Sequence, residues 1–150
     1  MDTFPIVIQK LLADLASFGV NPHFTGSRAI GVERPSSDWD FVLTTSDHRE
    51  LINNLCENYK VKEPYNYYFG WGNDTVILYI YLQDDKAPRT IWNLWGLLKR
   101  YHKVNLIIVE YEDELDKWIN ATEFCKENKN ACYNKNLRCH FFSCYGIAQK

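Results

Sequence analysis

Two short stretches hold the residue types best suited to chemistry: Gly26 and Ser27, and then, after ten intervening residues, Asp38, Trp39, Asp40 and Phe41. Side chains alternate between the faces of a strand, so Asp38 and Asp40 are expected to project together while Trp39 and Phe41 point the other way. Two bare carboxylates side by side repel, and one of them tends to keep its proton; a hard divalent cation removes that conflict by accepting oxygens from both. Mg²⁺, or Mn²⁺ in its place, suits the pair because it binds a few carboxylates, waters and substrate phosphates rather than a full protein cage. Upstream, a Gly-Ser corner between strand and helix lets backbone amides approach a phosphate closely, and Arg28 is placed to add a charge-assisted bond. Together these residues describe a site for a metal-bound polyphosphate.

The elements that must position them are legible in the patterning. Phe4, Ile8, Leu11, Leu12, Leu15 and Phe18 recur at helical spacing, with Pro5 at the start and Gly19 at the end. A short strand around His23, Phe24 and Thr25 leads into Gly26, and a second strand runs from Asp38 to Thr44. Asp47 and Glu50 have capping-box spacing ahead of the stripe Leu51, Ile52, Leu55, Cys56 and Tyr59, which predicts a second helix. Aromatic and β-branched runs from Tyr65 to Trp71 and from Thr75 to Leu82, separated by Gly72, Asn73 and Asp74, predict a hairpin. Ile91, Leu94, Trp95, Leu98 and Tyr101 predict a helix, Val104 to Val109 a buried strand, and a last helix is expected from about Glu112 with Leu115, Trp118, Ile119 and Cys125 facing inward. The order gives an α/β (α+β) class: a mixed sheet with a β-hairpin, flanked by helices.

The spacing of Gly26 and Ser27 from Asp38, Trp39, Asp40 and Phe41 resembles the nucleotidyltransferase superfamily that includes DNA polymerase beta, in particular its small prokaryotic or phage-type single-domain members. The resemblance implies a nucleotidyltransferase-like fold over residues 1–150, with 126–150 as a C-terminal extension. It also implies transfer of a nucleoside monophosphate from an NTP to a hydroxyl, with Asp38 and Asp40 as catalytic metal ligands and Gly26, Ser27 and Arg28 on the nucleotide. The family usually adds a third carboxylate from a neighbouring strand. Here Thr75 to Leu82 holds no acid, Val104 to Val109 offers only Asn105, and Glu110 lies at a strand end. Two readings therefore stand: an active Mg²⁺-dependent transferase, or a nucleotidyltransferase-fold module that binds a nucleotide or a partner protein, in a toxin–antitoxin or defence-related setting, with little or no turnover.

The whole-chain composition narrows the partners. A formal charge of −2 with a pI near 6.1 gives no positive field to gather nucleic acid. For so short a chain, without the extra domains of the larger family members, the resemblance implies a small-molecule or protein acceptor. No stretch reaches the length of a membrane span and the N-terminal residues lack the pattern of a secretory signal, which predicts a cytoplasmic protein with no membrane partner. Five cysteines suit a reducing compartment. Cys125, Cys132, Cys139 and Cys144, near His140, are spaced by seven, seven and five, without the close pairs of a structural zinc site, and read as packing. His23, near the Gly-Ser corner, reads as a structural histidine or a phosphate or base contact. Trp71, Trp92, Trp95 and Trp118 read mostly as core, with base stacking the alternative. The basic run Lys99, Arg100, His102 and Lys103 reads as a helix C-terminus favoured by the dipole ahead of an acceptor or nucleic-acid surface.

Overall fold

The structure is a computed structural model that describes residues 4–65, 75–92 and 98–147. Its elements follow in the order α1 (Ile6–Ser17), β1 (His23–Thr25), α2 (Gly26–Ile30), β2 (Trp39–Thr44), α3 (His48–Asn58), β3 (Lys60–Tyr65), β4 (Val76–Gln83), β5 (Arg89–Trp92), β6 (Leu98–Val109), α4 (Glu112–Glu127), α5 (Lys129–Cys132) and α6 (Lys135–Cys144). This is the mixed sheet flanked by helices that the patterning predicts. The strands form one six-stranded sheet in the order β1-β2-β6-β4-β3, with β5 pairing β6. Among the described residues β2 and β6 run parallel and the other pairs are antiparallel.

Period-two alternation divides the sheet residues between two apolar layers. Phe41, Leu43, Leu78, Ile80, Val104, Leu106 and Ile108 pack with Ile8, Leu11 and Leu15 of α1 and Leu51 and Leu55 of α3. Val42, Ile77, Ile107 and Val109 face the other way, against Ile30 of α2, Leu115, Trp118 and Cys125 of α4, Cys132 of α5 and Phe142 of α6. Beyond α4, α5 and α6 bring Cys132 and Phe142 into this second layer, with Asn134 capping α6 by accepting from the Asn136 and Leu137 amides. Asp47 caps α3 as its spacing predicts, accepting from the Glu50 amide at 3.1 Å. Among the described residues no helix is long and apolar enough to cross a membrane.

One expectation gives way. The helix expected from Ile91 to Tyr101 is replaced by the end of β5 and the start of β6, whose residues Leu98 to Tyr101 pair with Arg89 to Trp92. The apolar spacing there fits a helical period, but the continuous ladder that β6 makes with its neighbours overrides local periodicity. β4 pairs antiparallel with Lys60–Tyr65, which reaches the first residue of the strand expected from Tyr65 to Trp71; residues 66–71 lie outside the described residues. A sheet-edge position tolerates the lysines and Pro64 of β3, and its register shifts between Lys62 and Tyr65. The turn residues Gly72, Asn73 and Asp74 lie outside the described residues, as do residues 93–97.

Candidate functional site

β1 delivers the chain to Gly26, and the corner is anchored from behind. The buried Thr25 hydroxyl lies 2.6 Å from that of Thr122 on α4. Thr122 donates its own proton to the Trp118 carbonyl at 2.7 Å, so Thr25 is the donor between the two hydroxyls. At Gly26 the backbone turns into α2 with φ +78°, a left-handed conformation that disfavours any side chain. A Cβ at this position would also overlap the Asp40 carboxylate, standing 3.0 Å from its Cγ. Glycine is thus required twice over, and the corner and the carboxylate are immediate neighbours.

The carboxylates converge as the alternation predicts. The parallel register of β2 and β6 sets Asp40 level with Asn105, and β4 sets Tyr79 level with Asn105 on the other side. The Asn105 amide nitrogen donates to Asp38 Oδ2 at 3.1 Å and to Asp40 Oδ1 at 2.8 Å. Its own oxygen, Oδ1, is buried and has no hydrogen-bond partner among the described residues. Lys103 Nζ lies 3.4 Å from Asp38 Oδ2 and 4.4 Å from the centre of the Tyr79 ring. Burial pushes the Asp40 carboxyl up to about 6; the Asn105 hydrogen bond opposes this, the charge of Asp38 adds to it, and Lys103 and Arg138 draw it back.

Arg28 has structural partners. Its Nε donates to the Ser37 carbonyl and its Nη2 to the Pro35 carbonyl, both at 3.0 Å, while its guanidinium carbon lies 4.1 Å over the Trp39 ring. Burial lowers its pKa, against the charges of Glu33, Asp38 and Asp40, which raise it. The residue clamps the loop that ends at Asp38. Ser27 follows Gly26 in the first turn of α2 and accepts the Gly31 and Val32 amides through its carbonyl.

The structure brings Gly26, Asp38, Asp40 and Asn105 together and separates Glu110 from them. Glu110 follows the end of β6, about 16 Å along the strand from Asn105 at the usual rise per residue. Lys103 is the neighbour that sequence reasoning missed. The expected helix end placed Lys99, Arg100, His102 and Lys103 together, whereas β6 sends them to alternate faces: His102 meets Asp84 at 3.0 Å and Lys103 meets Asp38. The useful signal was the two-residue spacing of Lys103 and Asn105. Trp118 is core, edge-on to Phe142 at 5.7 Å, and Cys125 and Cys132 are buried in the same layer. The side chains of Trp71, Trp92 and Trp95 lie outside the described residues. A cavity of about 590 Å³ near α1, α3 and the end of β4 includes Lys10, Asp14, Tyr59 and Tyr81 in its lining, and none of the expected site residues.

No protein-family model matches the chain, and no curated protein matches it. Among solved structures it is similar to small alarmone synthetase 1 from Bacillus subtilis, determined bound to its product pppGpp. The two share 10% identity over 93% of this chain and 80% of that one, with a TM-score of 0.39. That likeness assigns no role to any residue of this chain.

Proposed function

We propose that the Asp38 and Asp40 site binds a nucleoside triphosphate with a divalent cation, Mg²⁺ or Mn²⁺, and transfers its nucleoside monophosphate to a hydroxyl of a small molecule or protein. The observation behind this reading is the contact of the Gly26 corner with the Asp40 carboxylate, while Asp38 is tied to the same carboxylate through one Asn105 amide. A phosphate cradle and a carboxylate pair that touch suit a metal-bound polyphosphate better than either feature suits a separate ligand.

The two carboxylates suit a hard cation, while the Asn105 amide turns its N–H groups, not its oxygen, toward both of them. Asp38 and Asp40 would hold the cation, and when bound it would neutralise their charges and those of the phosphate oxygens. The chain's own residues do the remaining work. Gly26 and Ser27 present backbone amides to the phosphates, and Thr25 keeps that corner fixed to α4. In the transfer, the acceptor oxygen bonds to the α-phosphorus as the bond to the bridging oxygen breaks, pyrophosphate carries away the electron pair, and the hydroxyl proton passes to solvent. Asn105 stands level with Asp40 on the neighbouring strand, where a third carboxylate is expected, and an amide takes no proton.

That same asparagine favours a second reading, nucleotide or partner binding without turnover. Calorimetry with each NTP and Mg²⁺, followed by transfer assays with labelled NTPs and several acceptors, separates the two. Binding with transfer supports the enzyme, binding alone supports the module, and the absence of both overturns the nucleotide site.

A further inference from the structure

We propose that Lys103 is a built-in counter-cation, neutralising Asp38 while the site holds no divalent cation and passing to the phosphate chain when cation and nucleotide bind. The inference rests on the nucleotide reading above and assigns a role to a residue outside the Gly-Ser and Asp-x-Asp pattern. Trp39 is level with Val104 in the parallel pair, which brings Asp38, the residue just before β2, beside Lys103 of β6. Their charged atoms stand 3.4 Å apart, longer than the roughly 2.8 Å of a tight charge-assisted hydrogen bond. Both side chains keep about a fifth of their surface exposed, at 20% and 22%, so solvent weakens the pair and lowers the cost of parting it.

Lys103 and a metal ion would compete for one atom. Asp38 Oδ2 takes both the Lys103 ammonium and an Asn105 N–H, and a divalent cation bound by that carboxylate would repel the ammonium. Lys103 has a second seat ready, because its Nζ already lies over the face of Tyr79, an arrangement that holds a cation without a carboxylate. A flexible four-carbon stem with three rotatable donors suits a lysine to follow phosphate oxygens once they arrive. Around it stand Asp38, through the 3.4 Å contact, the Tyr79 ring, and Asp40, on whose carboxyl its charge acts.

The two roles predict opposite effects of one substitution. On the full chain, Mn²⁺ binding without nucleotide is measured by electron paramagnetic resonance of the free ion, and binding of Mn²⁺-ATP and Mn²⁺-GTP by calorimetry. Lys103→Met should bind Mn²⁺ alone about two- to fivefold tighter and the better of the two nucleotides about fivefold weaker, the scale of one partly exposed charge contact. Lys103→Arg should stay close to the native protein in both. A merely structural lysine would weaken both affinities or move neither, and either result overturns the proposal. Lys103→Gln, which keeps a polar end, replaces Lys103→Met if the latter fails to fold. If the native protein binds Mn²⁺ and nucleotide but the variants do not diverge, only the counter-cation idea fails; if the native protein binds neither, the nucleotide reading fails with it.

Discussion

Gly26 and Asp40 occupy mutually exclusive space with any side chain between them: a Cβ on Gly26 would collide with Asp40 Oδ2 and come within 3.1 Å of its Cβ. Gly26→Ala therefore combines backbone strain at φ +78° with displacement of the carboxylate. We expect a stability loss of about 1–3 kcal/mol and loss of metal-dependent nucleotide binding, read by chemical denaturation and calorimetry. Full nucleotide affinity in a folded Gly26→Ala protein would show that the corner and the carboxylate serve different ligands.

Asp40 gives the metal-free protein an unusual pH response. Its carboxyl is raised from an ordinary 3.8 to about 6, chiefly by burial, so between those values the folded state holds a proton that the unfolded chain has released. The sign is that this carboxylate destabilises the fold above pH 6, and the cost is relieved as pH falls through 6 toward 4. Asp40→Asn should remove that component, equalling or exceeding native stability at pH 7.5 in EDTA while abolishing divalent-cation binding. Denaturant titrations of both proteins at pH 5 and 7.5 check it, the expected sign being a larger stability gain for the variant at the higher pH.

Local rules carried the site further than they carried its surroundings. Strand alternation was sufficient to place Asp38 and Asp40 together, and a glycine at the end of a short strand was sufficient to mark the corner, because both are properties of neighbours in sequence. The neighbours of Asp38 in space are another matter. Lys103 and Asn105 reach it only because β6 starts at Leu98 and runs parallel to β2, a pairing more than sixty residues distant in sequence. A helical apolar period from Ile91 to Tyr101 hid the first residues of that strand. The edge strand β3 escaped notice for a similar reason, since lysines and a proline contradict strand propensity and are admitted by position alone.

Arg28 offers a choice between clamping and phosphate binding that one conservative variant resolves. The observed bonds to the Ser37 and Pro35 carbonyls use the guanidinium fork, and the stack on Trp39 uses its plane. Lysine keeps the charge and loses both features. If Arg28 acts by holding the loop before Asp38, Arg28→Lys and Arg28→Ala should both lower stability by about 1–2 kcal/mol and weaken nucleotide binding to similar extents. Near-native nucleotide affinity in Arg28→Lys alone would instead assign the charge to a phosphate. Thermal melts paired with calorimetry read both quantities.

Asn105 decides whether binding proceeds to transfer. Its amide donates to both aspartates, a bond pattern that a carboxylate cannot reproduce while all three groups are ionised. Asn105→Asp therefore places a third negative charge beside two others and removes two hydrogen bonds, so the metal-free variant should be less stable by about 1–3 kcal/mol. Added Mg²⁺ or Mn²⁺ should restore much of that loss, because a site with three carboxylates gains more from a divalent cation than a site with two. In the presence of cation and NTP the variant also regains a group able to accept the acceptor's proton, so single-turnover transfer should rise while nucleotide affinity stays within a few-fold. Glu110→Gln should leave transfer unchanged, since that residue stands at the far end of β6. The measurements are melting with and without Mn²⁺ and single-turnover transfer for the native protein and both variants. Robust native transfer that Asn105→Asp does not increase would mean the reaction needs no carboxylate at this position, and the proton would have to leave by another route.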